Sequence, residues 1–195
     1  MMAAELEQKR YVIHPTRFTI WLFIIATILF FGALTSAYIV SRGIELSKGT
    51  WLVINIPSLF YYSTGVIIIS SIVVQWSLWM ARKNDFKRAI AGLSATFVLG
   101  LFFLAGQWLG WRDMADSGVI FASSNAGNFM YVFTGFHGAH ILAGLIYIVV
   151  VLTRTTQGKY TEKNLVGYEN CVTFWHFLGL LWIYLFIFLL VNHAA

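Results

Sequence analysis

Charged residues are scarce in this chain. Asp, Glu, Lys and Arg together make up 11% of its 195 residues, whereas hydrophobic residues make up 59%. This balance excludes a disordered chain and an ordinary soluble globular domain. Charges are also missing from the interior of five apolar runs, which cover about residues 18–40, 57–81, 90–111, 128–152 and 173–191. As a helix rising about 1.5 Å per residue, each run can cross a hydrocarbon core roughly 30 Å thick. The sequence therefore predicts an all-α membrane protein, a bundle of five transmembrane helices.

The chain also has very little cysteine, and it has no carboxylate inside its predicted spans. The chain has one cysteine, Cys171, so it can form neither an internal disulfide nor a cysteine-pair metal site. We expect Cys171 to act as a small apolar filler. No Asp or Glu lies inside a predicted span. Because intramembrane carboxylates mark ion and proton paths, their absence argues against a proton pump or a carboxylate-based transporter.

Histidine is the ionisable residue that the spans retain. His137 and His140 share a face of the fourth span, and His176 lies near the start of the fifth. His140 and His176 differ in depth by about nine residues, or roughly 13 Å, which is a poor fit to a bis-histidine haem. Two histidines alone are too few for a zinc or copper site. We therefore expect no metal ligand and no catalytic residue here, and neutral histidines bonded to a hydroxyl, a carbonyl or a neighbouring subunit.

Basic residues are divided unequally between alternate loops. Three lie on one side, namely Arg42, Lys48 and Arg112, and ten lie on the side of the N-terminus: Lys9, Arg10, Arg17, Arg82, Lys83, Lys87, Arg88, Arg154, Lys159 and Lys163. The positive-inside rule then predicts a cytoplasmic N-terminus and an external C-terminus. Residues 1–17 form a cytoplasmic N-terminal segment in this scheme, and residues 18–195 form the five-helix domain. The net charge of +5 is read as an orientation signal, and no nucleic-acid partner is expected.

Small and hydroxyl residues fall at spacings that favour contact between helices. A hydroxyl stripe in the second span is expected to hydrogen-bond between helices; it consists of Ser63, Thr64, Ser70 and Ser71. Small residues that would allow close backbone approach recur in the third and fourth spans: Gly92, Thr96, Gly100, Gly135, Gly138 and Gly144.

Short sequence motifs follow one another along the last three spans. Residues 134–140 read TGFHGAH, residues 174–177 read FWHF with Trp182 beyond them, and Gly-Tyr-Glu at 167–169 precedes the fifth span. With Leu-Gly at 99–100 followed by Gln107, the chain resembles subunit III of the haem–copper oxidases, the cytochrome c and quinol oxidase family, in its five-helix bacterial form. The motif residues to which the resemblance assigns a structural role are Gln107, Gly135, His137, His140, Glu169, Trp175 and His176.

The resemblance implies a role and a set of partners. A subunit III carries no haem or copper of its own; these cofactors belong to partner subunits that reduce oxygen to water and pump protons. It would lie in the bacterial plasma (inner) membrane, pack directly on subunit I, associate with subunit II and with other respiratory subunits, bind phospholipid and support proton uptake. Arg154 and Trp175 are the residues expected to contact lipid.

The chain departs from the family where the family carries ionisable side chains. Thr27 stands at the position of a Glu that the family often buries in the first of these helices. Leu78 lies at the end of the second span, where the family usually has a histidine. Gly179 takes the place of the Asp after the WHF motif, and Gly110 takes the place of a Glu near the end of the third span. These losses are mutually consistent, because a buried carboxylate without its partner is costly.

Other functions remain open from the sequence. The related five-helix accessory subunit of nitric oxide reductase is the nearest alternative. A small membrane transporter and a stand-alone membrane b-type cytochrome are more distant ones, opposed by the missing carboxylates and by the histidine depths respectively.

Overall fold

The computed structural model describes residues 15–52, 56–122, 124–162 and 164–193. Apart from an isolated bridge between Thr161 and Asn164, the regular structure in these ranges is helical. The helices are α1 (Pro15–Lys48), α2 (Ser58–Arg82), α3 (Phe86–Asp116), α4 (Asn125–Thr156) and α5 (Val166–His193). All five are long and apolar enough to cross a membrane. The prediction of an all-α, five-helix membrane protein is confirmed.

Four helices, α1, α3, α4 and α5, extend beyond both ends of their apolar runs, and α2 extends one residue beyond the end of its run. The side chain of Asp85 accepts from the backbone N–H of Arg88 and starts α3. The Ser124 hydroxyl does the same for α4 by accepting from the N–H of Gly127. Such caps satisfy N–H groups that have no partner within the helix. Gly167, which precedes the fifth apolar run, falls in the first turn of α5.

Glycine ends three of the described helices. After α1, Gly49 has a positive φ of 69°, and the N–H of Thr50 bonds to the carbonyl of Glu45 at 3.0 Å. Gly118 and Gly158 have positive φ values of 84° and 66°. After Gly158, the N–H of Lys159 bonds to the carbonyl of Arg154 at 3.0 Å, and after Gly118 the N–H of Val119 bonds to the carbonyl of Met114 at 2.9 Å. This pattern closes the last turn and requires a left-handed residue, which glycine adopts without steric cost.

Four helices form a closed ring and the first helix lies outside it. By backbone proximity α2 packs against α3, α3 against α4, α4 against α5, and α5 against α2, whereas α1 contacts α4 and α5. The outer position of α1 is visible in its exposed side chains, such as Leu29 and Val40. The core of the ring is aromatic, with Phe60, Phe103 and Trp182 buried completely.

The cross-helix bonds show which helix ends lie together. At one end, Arg17 of α1 and Arg82 of α2 both bond to Glu169 of α5. At the other end, Glu45 of α1 accepts a hydrogen bond from Asn125 of α4. Successive helices therefore alternate in direction, as five membrane crossings require. Which end faces the cytoplasm stays a prediction, and most of the expected N-terminal segment, residues 1–14, lies outside the described residues.

Candidate functional site

The three motif histidines face different neighbouring helices. His140 of α4 faces α1, His137 of α4 faces α3 and α5, and His176 of α5 faces α2. Within the ranges that the structure describes, no group of three or more His, Cys, Asp or Glu residues lies close enough to hold a metal ion. Each histidine therefore serves a separate helix contact.

His140 lies in an aromatic setting between α1 and α4. Its ring centroid is 5.8 Å from that of Phe23 and 5.6 Å from that of Phe31. Its Nδ1 lies 2.7 Å from the carbonyl oxygen of Phe136, so Nδ1 carries a proton, because a carbonyl only accepts. Its Nε2 faces the hydroxyl of Thr27 at 3.4 Å. Thr27, where the resemblance places a buried Glu, thus faces a histidine, and threonine provides that contact without burying a charge.

His137 and Gln107 are buried with their polar atoms unsatisfied. The His137 ring packs 5.3 Å from the indole of Trp182 and 5.8 Å from the ring of Phe103. Both ring nitrogens of His137, and both the oxygen and the nitrogen of the Gln107 amide, have no hydrogen-bond partner among the described residues. Unsatisfied polar groups are costly away from water, and among the described residues the bonding of both side chains is incomplete.

A groove between α2 and α5 contains the third histidine. The Nε2 of His176 donates to Oε1 of Gln75 at 3.0 Å. Both residues line an apolar groove of about 750 Å³. A Cβ placed on Gly179, which also lines the groove, would lie 3.1 Å from the hydroxyl of Ser71. Gly179, where the resemblance places an Asp, therefore lies in an apolar groove whose polar lining residues are Ser71, Gln75 and His176.

The two tryptophans of the fifth-helix motif bind to α2. The indole N–H of Trp175 donates to the hydroxyl of Ser70 at 3.0 Å, and that of Trp182 donates to the hydroxyl of Thr64 at 2.9 Å. The predicted interhelical role of the hydroxyl stripe is confirmed for these two hydroxyls. Trp175 is only 1% exposed. The expectation that Trp175 contacts lipid is therefore wrong, because its apolar area and its N–H are both satisfied inside the bundle.

Some of the small residues allow close packing between helices. A Cβ placed on Gly100 would lie 2.6 Å from Leu145 and 2.7 Å from Trp175, and one placed on Gly144 would lie 2.8 Å from Leu178. Real side chains essentially never approach so closely. These two glycines of α3 and α4 therefore make the space that the Trp175 ring fills. Their spacing predicted contact between helices, but that contact is made by side chains of the neighbouring helices.

Gly135 and Gly138 behave differently from those two glycines. The nearest atom to a Cβ on Gly135 would be 3.7 Å away on Trp111, and the nearest to one on Gly138 would be 3.9 Å away on Leu104. These are ordinary contact distances, so the expected close approach at these two positions does not occur within this chain. Both residues instead line an open groove between α3 and α4.

The space beside Gly110 is filled by an aromatic ring. A Cβ placed on Gly110 would lie 2.4 Å from the Phe60 ring, which is completely buried. A larger side chain at residue 110, such as the Glu that the resemblance places there, would therefore clash with Phe60 in this position.

Glu169 joins three helices at the end of the bundle where Arg17, Arg82 and Arg154 lie, which we call the cationic end. Its carboxylate oxygens lie 2.8 Å from Arg17 and 2.9 Å from Arg82. About half of each arginine side chain is exposed, so water screens both ion pairs. Each pair alone therefore contributes little to the free energy of folding. The arrangement fixes the start of α1 and the end of α2 against the start of α5. It also leaves one positive charge in excess.

Arg154 lies at a polar recess on the same end of the bundle. The recess has a volume of about 300 Å³ and is lined by Thr16, Arg154, Lys159, Tyr160, Asn164, Val166 and Gly167. Its lining carries two cations and no carboxylate. Burial raises the pKa of Tyr160 above its usual value of 10.0, and the adjacent Arg154 opposes that shift. Tyr160 therefore provides a neutral hydroxyl beside the two cations at physiological pH.

The partners of the motif residues were missed by sequence reasoning. Gln75 bonds to His176, and Arg82 bonds to Glu169. A signal for both exists in the spacing, because Gln75 and Arg82 are seven residues apart on α2, as are Glu169 and His176 on α5. Seven residues are about two helical turns, so two antiparallel helices align both pairs.

Comparisons with known proteins agree with these motifs. The family model described as cytochrome c oxidase subunit III matches residues 5–193. The protein named "Cytochrome c oxidase subunit 3" of Corynebacterium diphtheriae is 32% identical over 169 residues, which cover 85% of this chain and 82% of that protein. The "Probable cytochrome c oxidase subunit 3" of Nocardia farcinica is 32% identical over 175 residues, with coverages of 86% and 82%. That of Rickettsia bellii is 27% identical over 197 residues, with coverages of 91% and 69%.

Proposed function

The chain belongs to the cytochrome c oxidase subunit III family, and on that premise we propose that it is a non-catalytic subunit of a respiratory haem–copper oxidase in a bacterial plasma membrane. The complex transfers electrons to oxygen, forms water and pumps protons, with its haems and copper on partner subunits. This chain packs directly on subunit I, associates with subunit II, retains phospholipid and supports proton uptake.

The observation that carries the proposal is the structural use of the motif side chains. Trp175 fills a glycine-lined space and bonds to α2. His140 connects α4 to α1, and Glu169 holds α1 and α2 at the cationic end. The chemically versatile residues thus hold the five helices together. The contribution of the chain to the oxidase is then made through its outer surfaces, by packing and by lipid.

The proposed lipid site is the recess at Arg154. A phosphate group pairs well with the guanidinium of Arg154 and the ammonium of Lys159, and the neutral Tyr160 hydroxyl offers a donor beside them. The recess includes Thr16 from the start of α1 and Arg154 from the end of α4, so acyl chains can run along exposed apolar side chains of α1 such as Leu22 and Ile25. A phospholipid headgroup at this interface would be held by charge and its tails by apolar contact.

Lipid retention tests this part of the proposal. Arg154→Ala should lower the amount of phospholipid that stays with the complex in native mass spectrometry, because it removes the planar donor to phosphate. Lys83→Ala is the matched control, since Lys83 is an exposed cation of the same end that does not line the recess. Equal lipid in the Arg154→Ala variant and the unmodified complex would contradict the assignment.

Co-purification tests the proposed function itself. The tagged chain, isolated from its host in mild detergent, should bring down haem-bearing and copper-bearing subunits and consume oxygen with a suitable electron donor. The relatives named above are cytochrome c oxidase subunits, which favours oxygen over nitric oxide as the electron acceptor. A complex that reduces nitric oxide but not oxygen would support the accessory-subunit alternative. A chain that purifies alone and carries haem would contradict the proposal.

A further inference from the structure

Two polar side chains lie in the aromatic core without a bonding partner. Gln107 of α3 is 3% exposed, and His137 of α4 is completely buried. The oxygen and the nitrogen of the amide, and both ring nitrogens of the histidine, have no hydrogen-bond partner among the described residues. Both residues lie inside apolar helices that can cross a membrane. Because the chain itself encloses them, neither bulk water nor a docked partner can reach their polar atoms.

Contacts between α3 and α4 place the two side chains at about the same depth. A Cβ on Gly138 would lie 3.9 Å from Leu104, and one on Gly135 would lie 3.7 Å from Trp111. Gln107 comes between Leu104 and Trp111 on α3, so it is level with residues 135–138 of the antiparallel α4. The unpartnered imidazole belongs to that segment.

Both side chains also face the core of the four-helix ring. Gln107 shares a helix face with Phe103, one turn before it, and with Gly110, one turn after it, and both of these residues are buried. The Phe103 ring packs 5.0 Å from the ring of Trp182. The His137 ring packs against both of these rings. The amide and the imidazole therefore border one aromatic space between α3, α4 and α5.

Hydroxyl groups around this space have already used their protons. Thr134 and Thr64 each donate to a carbonyl of their own helix. Each also accepts from an indole N–H, Thr134 from Trp111 at 2.8 Å and Thr64 from Trp182 at 2.9 Å. A hydroxyl has one proton, so neither threonine can donate to the amide oxygen or to the unprotonated ring nitrogen. These two acceptors need a donor of another kind.

We propose that an ordered water molecule is bound inside the bundle and bridges the amide of Gln107 and a ring nitrogen of His137. A neutral imidazole has one donor and one acceptor, and an amide has both, so water complements each of them. A buried water typically makes about three hydrogen bonds to groups that would otherwise be unsatisfied. The bridge joins α3 to α4 inside the membrane, in a core otherwise held by aromatic contacts. This inference does not depend on the proposed function.

A crystal structure of the full chain in a lipidic mesophase, at a resolution that shows ordered water, tests the site directly. We expect a peak about 2.7–3.2 Å from an amide atom of Gln107 and from a ring nitrogen of His137. Gln107→Met keeps the length of the side chain and removes both polar atoms, so the peak should fall to less than about half its occupancy. A direct hydrogen bond between the two side chains would overturn the proposal, as would a map that shows other ordered water and no peak here.

Thermal unfolding in mild detergent gives a second measurement. Gln107→Met and His137→Phe each leave the other side chain unsatisfied, and each should lower the Tm by about 2–10 °C. The double variant leaves neither group unsatisfied, so its Tm should be no lower than that of the less stable single variant. Additive losses in the double variant would contradict a bridge.

The matched control pair combines Gln107→Met with Thr155→Val. Thr155 is also buried, but its hydroxyl donates to the carbonyl of Val151 in its own helix at 2.7 Å. The two losses in this pair should add, because the sites share no partner. Thr155→Val alone should leave the water peak at Gln107 unchanged. If the control pair shows the same non-additivity as the Gln107–His137 pair, the coupling is not specific to a bridge and the proposal is wrong.

Discussion

Gly100→Ala should destabilise the bundle although it adds a single methyl group. The new Cβ would lie 2.7 Å from the edge of the Trp175 ring, so a ring in ordinary contact at 3.4 Å would have to move by about 0.7 Å. Trp175 cannot move freely, because it is buried, bonded to Ser70 at 3.0 Å and bounded by Gly144 on its other edge. Overpacking of this kind costs about 1–3 kcal/mol.

The helix preference of alanine opposes that cost by up to about 1 kcal/mol. The net expectation for Gly100→Ala is a loss of roughly 1–2 kcal/mol, which lowers the Tm by about 2–8 °C for a chain of this size. Thermal unfolding of the purified chain in mild detergent, followed by tryptophan fluorescence, measures this shift. Gly138→Ala is the matched control and should leave the Tm unchanged or raise it slightly, because no neighbour lies closer than 3.9 Å. Equal shifts in the two variants would refute the packing argument.

Three further predictions concern single features of the bundle. Thr27→Glu places a carboxyl beside His140 and should make the chain reactive to a hydrophobic carbodiimide, detected by mass spectrometry; an unlabelled variant would count against the position of Thr27. Glu169→Gln removes both arginine pairs and should cost about 0.5–2 kcal/mol, shrinking at high salt; a loss that salt does not change would contradict an ionic origin. A reporter enzyme fused after residue 195 should be active outside the cytoplasm, and cytoplasmic activity would reverse the topology.

The five helices were predictable because their physical cause is local. Each span satisfies its own backbone bonds and presents apolar side chains, so composition alone shows where it lies. The ends were less predictable, because caps such as Asp85 and Ser124 lengthen a helix into polar sequence. The peripheral place of α1 could not be predicted, since all five runs have similar hydropathy and lipid does not distinguish an outer helix from an inner one by composition.

The sequence identified the site residues but did not show which neighbouring helix each side chain faces. The motifs singled out His140, Trp175 and Glu169, and each proves to connect helices. Sequence spacing did not show that Trp175 is enclosed, because burial depends on Gly100 and Gly144, which lie on two other helices. A glycine that accommodates a neighbour and a glycine that lines a groove are indistinguishable in sequence, and only the position of the adjacent helix separates them.

Oxygen consumption over successive turnovers, with and without this chain, tests the central claim most directly. A non-catalytic subunit that acts through packing and lipid should leave the haem spectrum and the initial rate of the oxidase largely intact when it is removed. The rate should then decline over repeated turnovers, faster than in the complete complex. An immediate loss of all activity from a fully assembled, haem-loaded oxidase lacking only this chain would show that the chain takes part in the chemistry, and would contradict the account.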